Sequence, residues 1–280
     1  MKRKTLYISD MDGTMLGTDS RISPRSSEII SSLTDRGALI TVATARTPAT
    51  VVPLLKGTRT SPPAVVMTGS ALWDRRAGHF TDPHFLPPED VVRTLESCLR
   101  QQVHPFVYVM APDNMSLDVY HAALRLNKAE QSFYLERSNL QLKRFHLGTP
   151  APPRALTHGM LLYAMGDEER IRQAADAIRQ DTECSICCYP DVFNPAVWNL
   201  EMFPPGVTKA SAIKKLKERI GADRLVVFGD SLNDLPMLAA ADVAVAVGNA
   251  LPEVKEAADI VIDPNFTDSV ARFIESDFND

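Results

Sequence analysis

Two aspartates close the run Leu6-Tyr7-Ile8-Ser9-Asp10-Met11-Asp12-Gly13-Thr14, where a short apolar stretch gives way to a glycine turn. Strand side chains alternate between faces, so two carboxylates two residues apart at a strand end can be aimed at one point. Gly13 lets the chain turn sharply there without a Cβ clash. A carboxylate with an ordinary pKa of about 3.9 is ionised at neutral pH and can attack an electrophile with no base to activate it. The second carboxylate could carry the proton. Crowded carboxylates repel, which tends to raise one pKa unless a cation such as Mg²⁺ takes oxygen ligands from them.

An Asp-Gly pair after a strand is also a common plain turn. What gives this one chemical meaning is a second acidic cluster, Gly229-Asp230-Ser231-Leu232-Asn233-Asp234, directly after the strand-like Arg224-Leu225-Val226-Val227-Phe228. Both clusters stand at the carboxyl ends of predicted strands. Open α/β sheets bind their ligands at that edge, so the two clusters can meet in one crevice although they lie near opposite ends of the chain.

The elements that must position these groups repeat as strand then helix. Ser23-Pro24 reads as an N-cap with proline at the first helical position; Ile29, Ile30 and Leu33 supply an apolar face and Gly37 ends the helix. Residues 38–43 read as a buried strand ending in Thr44-Ala45-Arg46, and Thr47-Pro48 opens the next helix in the same way. A third apolar strand over 64–67 ends at Thr68-Gly69-Ser70. This alternation predicts a parallel sheet covered on both faces.

Composition changes after His84. Pro83, Pro87 and Pro88 suggest a hinge, and the following stretch carries helical patterns over 89–101 and 167–180 with strand patterns over 104–110, 159–165 and 183–189. The expectation is an inserted domain over 85–191, flanked by a discontinuous core of 1–84 and 192–280. The parallel pattern is expected to resume at Trp198-Asn199-Leu200-Glu201-Met202-Phe203. After Pro204-Pro205-Gly206, Thr208 caps a helix that buries Ala212, Ile213 and Leu216. Lys209 falls in its first turn, where the helix dipole disfavours a cation. An anion at the helix start would offset that cost.

The whole chain fits this picture. With 280 residues and 45% hydrophobic content it can bury one large core and a smaller one. A formal net charge of −5 argues against general polyanion binding, which depends on lysine and arginine. No apolar run approaches the roughly 18 residues of a membrane span. Met1-Lys2-Arg3-Lys4 leads into too few apolar residues for a signal peptide, so the expected location is the cytoplasm. Cys184, Cys187 and Cys188 lie in a half-buried strand pattern with no second ligand pair at zinc-like spacing, and Cys98 stands alone in a helix. The six histidines are scattered, and no Ser-His-Asp pattern emerges.

Four segments taken in order carry a family resemblance: Asp10-Met11-Asp12-Gly13-Thr14, Thr44, Lys209 in Gly206-Val207-Thr208-Lys209, and Gly229 through Asp234. Over nearly its whole length the chain resembles the haloacid dehalogenase (HAD) superfamily of phosphohydrolases, in its Cof-like, subfamily IIB branch. That resemblance implies a Rossmann-like doubly wound parallel-sheet core with an α/β cap domain inserted after the third core strand. It implies that Asp10 attacks phosphorus in line to form an aspartyl phosphate, while Asp12 protonates the leaving oxygen and then activates water. Mg²⁺ would be held by the Asp10 carboxylate, the Asp12 backbone carbonyl and Asp230. Asp234 would orient Lys209 or a water beside the metal. Thr44, the Ala45 amide, Lys209 and Asn233 would hold phosphoryl oxygens.

Four acids against one lysine make a divalent cation a requirement for binding phosphate. An acid at position 12 sides with the family's phosphatases and mutases, since its ion-pumping ATPases carry threonine there. The chain departs from the family pattern at Ala45, where glycine is usual, at Thr68, where asparagine is usual, and at Ser269, again for glycine. The expected substrate is a small phosphomonoester, with sugar phosphates foremost. Tyr189, Asp191, Phe193, Asn194 and Trp198, near the return crossing from cap to core, are candidate selectors. A phosphomutase or phosphotransferase using the same intermediate, or a non-catalytic phospho-ligand sensor, are the alternatives. No nucleic-acid, membrane or protein partner is implied, and a monomer is the default.

Overall fold

Short apolar runs punctuated by capping residues fold into alternating strands and helices. The computed structural model describes residues 3–191 and 194–279. They open with β1 (Thr5–Ser9), α1 (Pro24–Asp35), β2 (Leu39–Val42), α2 (Pro48–Leu54), β3 (Ala64–Val66), β4 (Ala71–Asp74) and β5 (His79–Thr81). The Ser26 amide donates to the Ser23 hydroxyl at 2.9 Å, with Pro24 in the first turn, as the sequence predicts. Thr47 precedes α2 without such a bond, and its hydroxyl is buried without a partner.

The chain then forms α3 (Pro88–Arg100), β6 (Phe106–Met110), β7 (Leu117–His121), α4 (Lys128–Arg137), β8 (Lys143–Leu147), α5 (Ala155–His158), β9 (Gly159–Gly166), α6 (Glu168–Asp181), β10 (Ser185–Pro190) and β11 (Trp198–Phe203). It ends with α7 (Lys209–Ile220), β12 (Arg224–Gly229), α8 (Leu235–Leu238), β13 (Val243–Ala246), α9 (Pro252–Ala257), β14 (Ile260–Val261) and α10 (Ser269–Asn279).

Residues up to Thr81 and from Thr208 onward form one unit. Its parallel sheet has the order β14-β13-β12-β1-β2, with Leu6 opposite both Leu225 and Leu39. The central strand is covered on both faces, so Leu6, Tyr7 and Ile8 are all buried and the alternation of a one-sided strand is absent. β3 departs from the expected parallel continuation. It joins β2 only through a single parallel bridge, Ala43 to Val65, and pairs antiparallel with β4. An apolar run encodes burial and carries no information on strand direction. The hairpin turn holds Met67, Thr68 and Gly69 at positive φ, and a Cβ on Gly69 would lie 2.5 Å from the Thr208 carbonyl oxygen. Only glycine permits that approach.

Asp82–Val207 form the second unit. Its sheet runs β10-β11-β9-β6-β7-β8, antiparallel throughout except for the β7–β8 pair. Here the sequence expectation needs correction, because Trp198–Phe203 is not a resumed parallel strand. It lies between β9 and β10 and is antiparallel to both. The chain therefore divides at 81/82 and 207/208, where the proline-rich hinge and the composition change suggested 84/85 and 191/192; Val192 itself lies outside the described residues. Val91 and Cys98 of α3, and Ile171, Ala175 and Ile178 of α6, pack with Val107, Val109, Leu162, Leu200 and Met202 into one core. The four cysteines are free thiols. Among the described residues no helix is long and apolar enough to cross a membrane.

Candidate active site

Because β1 and β12 are neighbours, their carboxyl ends bring the two acidic clusters together. The Asp10 amide donates to the Phe228 carbonyl at 3.0 Å, so the first cluster begins beside Gly229 and Asp230. Residues Met11–Met15 then coil through an irregular turn with Gly13 at φ +77°. A Cβ at Gly13 would collide with the Asp230 carboxylate. The turn thus needs glycine twice over, for its φ and for the closeness of an acid. Within the turn, the Thr14 hydroxyl donates to Asp230 Oδ1 at 2.8 Å.

The lysine arrives from α7. Thr208 and Ser211 cap that helix reciprocally, each side chain bonding the other's backbone amide at 3.0 Å. This places Lys209 in the first turn, 5% exposed, with its ammonium 2.5 Å from Asp10 Oδ1 and 2.9 Å from Asp234 Oδ1. Burial disfavours its charge, but the two carboxylates outweigh that and hold its pKa above the ordinary lysine value. The charge that is awkward at a helix start is offset by two acids.

The acids show the complementary strain. Burial pushes Asp10 up to about 7; Lys209 opposes the rise, and Asp234 and Asp230 add to it. Asp230 is pushed up to about 6, again chiefly by burial, against the Thr14 hydrogen bond. Asp234 is fully buried, and its Oδ2 accepts from the amides of Asp230 at 3.1 Å and Ser231 at 3.2 Å. It therefore ties the second acidic loop to Lys209.

Carboxylate oxygens of Asp10, Asp230 and Asp234 all lie within 4.8 Å of one another. Three hard oxygen donors, two with pKa values raised by burial and crowding, suit Mg²⁺ and offer nothing to a soft metal. Of the expected metal-binding positions, Asp10 and Asp230 stand in this group. The Asp12 side chain stands apart from it, held by Arg46: Nε to Oδ2 and Nη2 to Oδ1, each at 2.6 Å.

Among the expected phosphate-binding positions, Thr44 is buried at the end of β2, with its hydroxyl accepting the Arg46 amide at 3.1 Å. Ala45 is exposed beside it. Asn233 is exposed, and its Oδ1 accepts from the Ser231 hydroxyl at 2.8 Å, so it makes a local bond within its own loop.

Several supporting residues escaped sequence reasoning. Arg46 and Thr14 are two, and Asn249 and Asn265 brace the first loop: Asn249 Nδ2 donates to the Gly13 carbonyl at 2.7 Å, and Asn265 Nδ2 to that of Leu16 at 2.6 Å. The Asn265 amide donates to Asn249 Oδ1 at 2.8 Å, linking the braces. In the second unit, Asp191 and Asn194 line a cavity of about 460 Å³ with Phe133, Arg137 and Tyr163. Tyr189 lies on β10, and Trp198 packs against the helix-side core beneath the Arg172 guanidinium. Phe193 lies outside the described residues.

A parallel α/β core that gathers carboxylates around a buried lysine at its strand ends, interrupted by a second α/β unit, defines a class of phosphate-handling hydrolases. Residues 7–274 match the family of haloacid dehalogenase-like hydrolases, and the chain belongs to that family, within its Cof-like IIB phosphatases. It is 27% identical over 273 residues to the 5-amino-6-(5-phospho-D-ribitylamino)uracil phosphatase YcsE of Bacillus subtilis, covering 96% of this chain and 94% of that one. It is 25% identical to the pyridoxal phosphate phosphatase YbhA of Escherichia coli, covering 95% and 96%. The crystal structure of a haloacid dehalogenase-like hydrolase from Bacteroides thetaiotaomicron superposes with a TM-score of 0.77 at 24% identity, over 99% of this chain and all of that one. The protein is a phosphatase of small phosphomonoesters.

Proposed function

We propose that this phosphatase hydrolyses sugar phosphates and related small monoesters with Mg²⁺, carrying the phosphoryl group on Asp10. The observation that supports this most is the buried Lys209 ammonium shared by Asp10 and Asp234, with Asp230 alongside. It supports the reading because a carboxylate able to attack phosphorus, a cation and further carboxylates able to take a metal lie together.

In this reading an Asp10 oxygen attacks phosphorus as the bond to the leaving oxygen breaks, and Asp12 gives that oxygen its proton. Asp12 then takes a proton from the water that attacks the phosphorylated Asp10 and restores its carboxylate. Lys209, Thr44, the Ala45 amide and Asn233 hold phosphoryl oxygens, while Asp234 keeps Lys209 in place. Held by Asp10, Asp230 and the Asp12 carbonyl, Mg²⁺ would supply the positive charge that lets an anionic phosphate approach these acids. Substrate selection is assigned to the inserted unit. The relatives from B. subtilis and E. coli are named for a 5-phospho-D-ribitylamino compound and for pyridoxal phosphate, both small phosphorylated molecules. The enzyme acts, in this reading, as a cytoplasmic monomer.

The test is phosphate release from a panel of sugar phosphates, nucleotides and other monoesters, with Mg²⁺ or with chelator, and with or without an acceptor sugar. Metal-dependent free phosphate, highest with sugar phosphates, is expected. Transfer to the acceptor without free phosphate would instead identify a phosphotransferase, and release that persists in chelator would remove the metal from the account.

A further inference from the structure

Arg46 grips Asp12 through two parallel hydrogen bonds of 2.6 Å, one to each carboxylate oxygen. A carboxylate whose two oxygens both accept from a fixed guanidinium fork is poorly placed to offer a proton to anything else. In the proposed reaction Asp12 must do that. The grip therefore has to loosen during the cycle.

Its surroundings suit an exchange. The Arg46 backbone is pinned: its amide donates to the Thr44 hydroxyl at 3.1 Å, and its carbonyl accepts from Met67 at 3.0 Å. Any change of partner therefore has to come from the side chain. With side-chain exposures of 29% for Arg46 and 51% for Asp12, the pair keeps access to solvent, from which a phosphoryl group can approach it. A phosphoryl group offers the same planar fork more charge and more acceptor oxygens than a carboxylate does.

We propose that Arg46 exchanges partners. It holds Asp12 while the site is empty, passes to the phosphoryl group when substrate enters, and so frees Asp12 to serve as the acid. The freed carboxyl takes its proton from solvent, gives it to the leaving oxygen as the phosphorus–oxygen bond breaks, and regains one from the attacking water. This rests on the phosphatase reading above for its catalytic meaning, but the exchange itself is a binding event and can be measured without turnover.

The experiment is calorimetric titration of inorganic phosphate, at fixed Mg²⁺, into the wild type, Asp12→Asn, Arg46→Ala and the double variant. If Asp12 competes with phosphate for Arg46, Asp12→Asn binds phosphate about tenfold more tightly than the wild type, and that gain disappears when Arg46 is alanine. An equal gain in both backgrounds would mean simple repulsion by Asp12 and would overturn the exchange, as would no gain in either. Arg46→Gln replaces Arg46→Ala if circular dichroism shows the latter unfolded. Turnover measured alongside separates the two ideas. Activity without coupling overturns the exchange alone, whereas the absence of both phosphate binding and turnover overturns the reading on which it rests as well.

Discussion

The Lys209 ammonium lies 2.5 Å from Asp10 Oδ1, across 199 residues of sequence, and this contact joins a carboxylate at the end of β1 to the start of α7. Both groups are buried, so neither charge is screened by water as a surface pair would be. Replacing Lys209 with methionine keeps the length of the side chain and removes the charge. The expected cost is roughly 3 kcal/mol in stability, measured by urea unfolding, because it leaves buried carboxylates uncompensated. Phosphate release should fall by about 100-fold or more, as when a charge-stabilising donor is removed from an active site.

Metal affinity should depend on pH. With Asp10 raised to about 7 and Asp230 to about 6, protons occupy the metal-binding oxygens in mild acid and must be displaced. Mg²⁺ affinity measured by calorimetry should rise as pH increases through 6 and 7. The sign for stability is opposite in the metal-free protein: the folded state retains protons that the unfolded chain releases, so stability should fall as pH rises from about 4 to about 7. Thermal melts with Mg²⁺ and with chelator check both directions.

Gly13→Ala tests the closeness of the two acidic loops. The added methyl group meets the Asp230 carboxylate, and the φ of +77° strains any other residue. The variant should lose about 1–3 kcal/mol of stability by the usual cost of such backbone strain. It should also need more Mg²⁺ for half-maximal activity, because Asp230 has to move. Unchanged metal dependence would show that Asp230 does not hold the metal.

How far these relationships can be read from sequence depends on distance along the chain. Asp10, Asp12 and Gly13 announce themselves because the turn and both acids are adjacent, and Ser23-Pro24 announces α1 because capping is local. Arg46 did not, although it directly follows Thr44-Ala45, because its partner lies 34 residues away and an arginine carries no local sign of the carboxylate it will hold. Thr14 and Asn249 bond across the fold in the same way. Trp198–Phe203 was misplaced for a different reason. Its apolar pattern is real and its strand exists, but only the hydrogen-bonding partners β9 and β10 decide sheet and direction. The same ambiguity hid the β3–β4 hairpin, in which the chain turns back after a three-residue strand and pairs it antiparallel with the next one.

Lys143 on β8 offers a test in the second unit. It is buried, with its ammonium 5.1 Å from the centre of the Tyr108 ring and 5.9 Å from that of Phe145, and burial with help from Arg137 pulls its pKa down to about 7. The folded state thus sheds a proton that the unfolded chain keeps up to about 10.5. The penalty is complete below about pH 7 and gone above about 10.5, so this residue makes stability rise with pH across that window, with a slope of at most about 1.4 kcal/mol per pH unit. Lys143→Met should raise the melting temperature at pH 7 and have a shrinking effect toward pH 10.

The account turns on the phosphorylation of Asp10, and the most direct measurement is acid-quenched single turnover with a ³²P-labelled sugar phosphate that the panel shows to be hydrolysed, followed by peptide mapping. With Mg²⁺ the wild type should carry label on Asp10, and Asp12→Asn, which lacks both the acid for the leaving oxygen and the base for water, should gain and lose that label more slowly. Asp10→Asn should carry none and release no phosphate. Mg²⁺-dependent phosphate release by Asp10→Asn, or label found on another residue, would contradict the assignment of Asp10 as the nucleophile.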